Sequence, residues 1–238
     1  MKQYNYQKCP VLTHLTRSET PLISKVELTA NTALAESCFD YKFNGESKFF
    51  PFEVPNELKS IDFKILVITG ASGSGKSTFI KNFDTNPVKT YKGGTNAIIS
   101  EFATGEEAVD KFCAVGLASV PVWCKPRNVL SVGEGFRADV ALNFDSGACF
   151  DEFTSTVDRN VAISLASSVG KAIKRNNMSR MIFCSCHKDY IDYMNPDYVV
   201  DLDDQCVYNC VGQKTSETGG KSNYEFFDNG VLVGKITL

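Results

Sequence analysis

The sequence predicts an α/β domain: a mostly parallel sheet at the centre, an antiparallel β layer at the N-terminal end and a short helical segment in the middle. Three observations predict it. Residues 63–69 (FKILVIT) are a compact apolar run with β-branched side chains, followed by a glycine-rich turn and a helix-forming stretch. From there to about residue 202, strand-like and helix-like segments alternate, as they do when crossover helices join parallel strands. The first sixty residues instead carry short patterns bounded by turn residues, which suit antiparallel strands.

Taken in order, residues 23–28, 39–43 and 49–54 read as strands of the N-terminal layer, which covers about 1–60. The run at 63–69 reads as a buried parallel strand and opens a core over 61–205. Helices are expected from Lys76 to about Asn82, over 106–115 and from Phe136 to about Asn143, the last two inside a helical segment of about 103–145. Residues 148–150 read as a short strand. Residues 158–176 have helical spacing and end in Lys171, Lys174 and Arg175, which suits a helix C-terminus. Strands follow at 181–185 and 198–202. The tail, 206–238, is expected to hold a hairpin from Tyr224 with Asp228-Asn229-Gly230 as its turn. The whole chain, 1–238, is expected to be a single domain.

Composition removes several function classes. Of 238 residues, 43% are hydrophobic and 22% charged, ordinary for a globular chain and unlike a disordered one. A net charge of −3 gives no basic footprint for nucleic acid or an anionic membrane. No apolar run approaches the ~20 residues that span a bilayer, which excludes self-contained transport. The start, MKQYNYQKCPVLTHL, lacks the apolar core of a signal peptide, so a cytoplasmic protein is expected. Nine cysteines then read as free thiols. Cys184, Cys186, His187, Cys206 and Cys210 are spaced poorly for structural zinc.

The chemistry lies in residues 70–78. Gly70-Ala71-Ser72-Gly73-Ser74-Gly75-Lys76-Ser77 fits the phosphate-loop pattern G-x4-G-K-[ST] between a buried strand and a helix, with Thr78 offering a second hydroxyl. Its glycines let backbone N–H groups turn inward into an anion nest. Lys76 is expected to reach the β- and γ-phosphates of a nucleoside triphosphate and Ser77 to ligate Mg²⁺. Farther along, Cys149-Phe150-Asp151-Glu152 ends an apolar strand with two carboxylates. Asp151 can hold Mg²⁺ through water, leaving Glu152 to polarise the attacking water.

The order and spacing of motifs resemble the nucleotide-binding domain of ABC-type ATPases, within the P-loop NTPases. Leu130-Ser-Val-Gly-Glu134 resembles the LSGGQ signature, with Arg137 at the basic position three residues on. Residues 151–158, DEFTSTVD, resemble the Walker B and D-loop run DEPTSALD. His187 corresponds to the switch histidine, and Glu101 stands at the Q-loop position. The match covers roughly 65–205. The wording of VGLASVPVWCKPRNVLSVGEGFRADVA and CSCHKDYIDYMNPDYV is closest to a bacterial and phage branch often fused to a predicted GNAT-type acetyltransferase. This chain stops about where that second domain would begin, so no acetyltransferase activity is expected of it.

The resemblance implies a head-to-tail homodimer that forms with ATP, each signature facing the partner's phosphate loop. Ser131, Gly133 and Glu134 would then contact the nucleotide in trans, Glu101 would meet Mg²⁺ or its water, and His187 would stabilise the γ-phosphate. Tyr41, Phe43, Phe49, Phe50 and Phe52 are candidates to stack on adenine, and Tyr41 is preferred. Four departures stand out: Glu101 and Glu134 for glutamine, Val132 for glycine and Phe153 for proline. The short stretch between Glu101 and Leu130 leaves no room for a long coiled coil and fits a transporter-coupling subdomain poorly. A soluble ATPase serving a protein partner or nucleic acid is therefore expected. The alternatives are a non-catalytic, ATP-set assembly module and the nucleotide-binding subunit of a separately encoded transporter.

Overall fold

The computed structural model describes residues 5–39 and 41–212 and the backbone of 223–228 and 231–237. Its central sheet is built on β4 (Ile65–Thr69), every residue of which is buried. β6 (Met181–Ser185) and β7 (Tyr198–Asp201) run parallel to it on either side, and β5 (Cys149–Phe150) runs parallel to β6. Beyond β7 the direction reverses: β8 (Cys206–Asn209) is antiparallel to β7, and β1 (Val11–His14) antiparallel to β8. The order is β1-β8-β7-β4-β6-β5.

Period-two alternation sends β4 into two cores. Ile65 and Val67 join Phe112, Val115, Phe153, Leu165, Val169 and Phe183 on one face. Leu66 and Ile68 join Leu58, Phe79, Phe83, Val200 and Leu202 on the other. A strand covered on both faces needs an unbroken apolar sequence, which is why 65–68 shows no polar alternation. The covering helices are α2 (Asn56–Ser60), α3 (Lys76–Ile80), α4 (Gly105–Ala114), α5 (Val120–Trp123), α6 (Val132–Leu142), α7 (Arg159–Arg175) and α8 (Ile191–Met194). The helices expected at 106–115 and 158–176 are present as α4 and α7, capped by the Thr104 and Asp158 side chains.

Two expectations are corrected. The strand expected at 39–43 is not found among its described residues: Phe39 closes α1 (Ala30–Phe39), whose ANTALAESCF sequence is rich in strong helix formers, and 41–43 are irregular. The N-terminal antiparallel pair is instead β2 (Leu22–Lys25) with β3 (Glu46–Phe49), so the strand expected at 49–54 is met only at Phe49, with Phe52 in an isolated bridge to Arg17. In addition, α6 begins at Val132 rather than near Phe136. Ser131 and Glu134 close a capping box, which satisfies the first N–H groups a turn earlier than the apolar pattern indicated. Arg137 therefore sits in the second turn, not the first. At the other end, β9 (Asn223–Asp228) and β10 (Val231–Thr237) pair antiparallel as a hairpin, and its expected turn at 229–230 lies outside the described residues.

Candidate nucleotide site

Parallel register gathers the candidate residues at one edge of the sheet. Thr69 is level with Ser185 and with Asp201, so the segments following β4, β6 and β7 leave the sheet side by side. Phe150 is level with Phe183, which brings Asp151 and Glu152 to the same edge. This carboxyl-terminal edge is where open α/β sheets bind ligands.

The phosphate loop is held from both sides. Gly70 has φ 152°, and a Cβ there would lie 2.9 Å from Ser74 Oγ and 3.0 Å from Leu202 Cβ. Gly75 has φ 100°, and its Cβ would fall 2.5 Å from the Phe49 ring. A side chain at either position would take a disfavoured φ and have to displace Ser74 or Phe49. Buried Lys76 donates from Nζ to the carbonyls of Gly70 (2.9 Å) and Ala71 (2.8 Å). The hydroxyls of Thr69 and Ser74 are buried without a partner among the described residues. Such groups ordinarily find a ligand or water.

Ser77 Oγ donates to Asp151 Oδ2 at 2.6 Å, joining loop and strand-end carboxylate across 74 residues of sequence. The other oxygen, Oδ1, accepts the Glu152 N–H at 3.0 Å. A hydroxyl and a carboxylate converging in this way are the donor set that Mg²⁺ takes beside phosphate. The loop and this pair therefore fit magnesium-bound nucleoside triphosphate. Glu101 ends a 3₁₀ turn (Ile98–Glu101) and is half-buried, and no hydrogen bond or ion pair joins its side chain to Ser77 or Asp151.

Residues 151–158 form a strained bend. Glu152 and Thr154 have φ of 55° and 69°, which β-carbon sterics disfavour. The bend is fixed by Phe153, fully buried against Phe150, Phe183, Phe136 and Tyr190, with its N–H donated to the Cys184 carbonyl at 2.7 Å. Proline could supply neither the ring contacts nor the N–H. Glu152 Oε2 accepts from Ser155 Oγ at 2.7 Å. Arg159 clamps both Asp189 oxygens through Nε and Nη2, tying this bend to the loop that carries His187. That bond holds the Asp189 carboxyl below its usual range. His187 itself is half-buried, with its N–H donated to Ser185 Oγ at 3.1 Å.

The remaining candidates lie apart or are engaged. Ser131 donates its hydroxyl to Glu134 Oε2 at 2.8 Å and its N–H to the same atom at 3.0 Å. The Ser131 hydroxyl bond chiefly keeps the Glu134 carboxyl below its ordinary value. Gly133 follows in the first turn and accepts Arg137 Nε at 3.2 Å. Tyr41 is 64% exposed and stacks on Phe43, whereas Phe49 is the aromatic set against the phosphate loop. Sequence reasoning missed Asp203, whose Oδ1 accepts the Ala71 N–H at 2.9 Å, and the Arg159–Asp189 clamp. A signal for Asp203 was present, since DLDD at 201–204 ends an apolar strand with acids just as 149–152 does.

No protein-family model matches the chain, and no curated protein does. Among solved structures it is similar to the RNase-L inhibitor, at 17% identity over 64% of this chain and 38% of that one, with a TM-score of 0.48. It is also similar to MJ0796, a bacterial ABC transporter cassette solved as a dimer, at 12% identity over 83% and 94% with a TM-score of 0.44. A third is cbiO1 from Clostridium perfringens, part of an ABC transporter complex, at 13% identity over 81% and 90% with a TM-score of 0.45. The chain thus spans 38% of the RNase-L inhibitor's length. At this distance the neighbours assign no role to individual residues.

Proposed function

We propose that this chain is an ABC-type ATPase domain that binds Mg²⁺-ATP through residues 70–78 and hydrolyses it in a head-to-tail homodimer. The observation that carries the reading is the 2.6 Å contact between Ser77 and Asp151, which sets the loop hydroxyl beside the strand-end carboxylate as a Mg²⁺-phosphate site requires. Lys76 would leave its two loop carbonyls for the phosphates, and Ser77 and Asp151 would hold the metal, which neutralises charge on the transferring group. Glu152 orients and deprotonates the attacking water. His187, one strand away, contacts the terminal phosphate. Ser131 and Gly133, at the exposed start of the eleven-residue α6, meet the partner's nucleotide once Ser131 exchanges Glu134 for phosphate. The cycle serves a protein or nucleic-acid partner, and no described helix is long and apolar enough to cross a membrane.

The test is phosphate release with Mg²⁺-ATP, alongside light scattering. Wild type is expected to turn over, and Glu152→Gln to lose about 10²-fold or more in rate while accumulating an ATP-dependent dimer. Lys76→Ala should lose nucleotide binding. Equal release by wild type and Glu152→Gln would remove the enzyme reading. The Ser155 bond to Glu152 favours the assembly-module alternative in that event.

A further inference from the structure

Asp201 ends β7 with its carboxylate fully buried. Four groups fill it: Lys188 Nζ at 2.8 and 3.1 Å, the Tyr6 hydroxyl at 2.8 Å, and the N–H groups of Asp203 and Asp204 at 3.0 and 3.3 Å. A buried charge is tolerated only when matched this fully. Asp201 is thus a fixed post at the edge of the sheet, and Lys188 bridges it to Asp203.

Lys188 also lies 3.1 Å from Asp203 Oδ2, while Asp203 Oδ1 accepts the Ala71 N–H at 2.9 Å. That N–H belongs to the peptide group whose carbonyl, on Gly70, accepts Lys76 Nζ at 2.9 Å. One peptide plane is therefore held by Asp203 on one side and by Lys76 on the other. Because peptide groups are planar, turning the carbonyl turns the N–H with it. A chain of contacts therefore runs from Lys76 through this peptide and Asp203 to Lys188, the residue after His187.

We propose that Lys188 is a positioning residue, coupling His187 to the start of the phosphate loop through Asp203. This rests on the reading of His187 and Lys76 given above. It adds a route by which occupancy of the loop sets the place of the histidine.

Nuclear magnetic resonance on the full chain can test it without turnover, since the sequence has only two histidines, His14 and His187. Lys188→Met should move the Ala71 amide signal, and Asp203→Asn should move the His187 ring signal while leaving His14 in place. In turnover, Lys188→Met should lower kcat about tenfold with KM for ATP within about threefold, and Lys188→Arg should restore most of it. An unmoved Ala71 amide in a folded Lys188→Met chain overturns the proposal. If that variant does not fold, an unmoved His187 signal in Asp203→Asn overturns it equally. A wild type that binds but does not hydrolyse ATP refutes the ATPase reading, and the cross-signals still decide the coupling.

Discussion

Replacing Gly170 with alanine sets helix propensity against packing, and the two predict opposite signs. Gly170 lies inside α7, where alanine would gain about 1 kcal/mol from propensity alone. The Cβ, however, would fall 2.3 Å from the Met194 carbonyl oxygen and 3.0 Å from its carbon. That is more than ~1 Å inside the separation at which such atoms attract. The obstacle is backbone and cannot swing aside. Met194 N–H is bonded to the Tyr190 carbonyl at 3.2 Å, and Lys174 holds the next carbonyl, on Asn195, at 2.6 Å. Relief requires α7 and α8 to part, loosening fully buried Val169 and Ile173. Overpacking of this kind costs about 1–3 kcal/mol, and an immovable contact belongs at the upper end. After the propensity gain, about 2 kcal/mol of destabilisation remains, or a Tm lower by about 4–8 °C for a chain of this size. Urea and thermal melts monitored by circular dichroism measure both. Gly105→Ala is the control: nothing lies within 4 Å of its Cβ, and a gain of about 0.4–1 kcal/mol is expected. Gly170→Ala melting at or above wild type would refute the reasoning. The result bears on function, because α7 is the first helix after Glu152 and α8 the first after His187.

Thiol labelling near about pH 8 should modify exposed Cys38 and Cys124 first. Burial, reinforced by Asp151, pushes the Cys149 thiol up to about 12 and raises that of buried Cys184, so both should react about tenfold or more slowly until the chain is unfolded, as read by mass spectrometry. Acid stability should depend on Asp189 and Asp203, whose folded carboxyls are depressed by the Arg159 and Ala71 bonds respectively. Their contribution is complete above the unfolded value of about pH 4 and is lost as pH falls through the folded one. Asp189→Asn should therefore flatten part of the acid limb of a stability–pH curve and leave its lowest end unchanged.

The phosphate loop, the strand before it and the strand-end acids were legible in the sequence because each depends on local pattern: an apolar run, fixed glycines, adjacent carboxylates. The parallel sheet was legible for the same reason, as alternation of strands and helices. The start of α6 was not, since a capping box turned polar residues into helix while the apolar periodicity began later. Helix formers at 30–39 built α1, which claims Phe39 from the strand expected at 39–43. What no local pattern could supply was register. Thr69 beside Ser185 and Asp201 places residues distant in sequence within hydrogen-bonding reach.

Sequence alone determined the residue types able to bind a phosphate and a metal, because that chemistry is carried by a contiguous loop and a carboxylate pair. Tertiary structure decided which of them meet. It joined Ser77 to Asp151, set Phe49 rather than Tyr41 against the loop, engaged Ser131 with Glu134, and linked Lys188 to Ala71 through Asp203. The physical reason is that a loop motif folds from neighbours in the chain, whereas strand register and buried charge pairing are settled only when both cores close around β4.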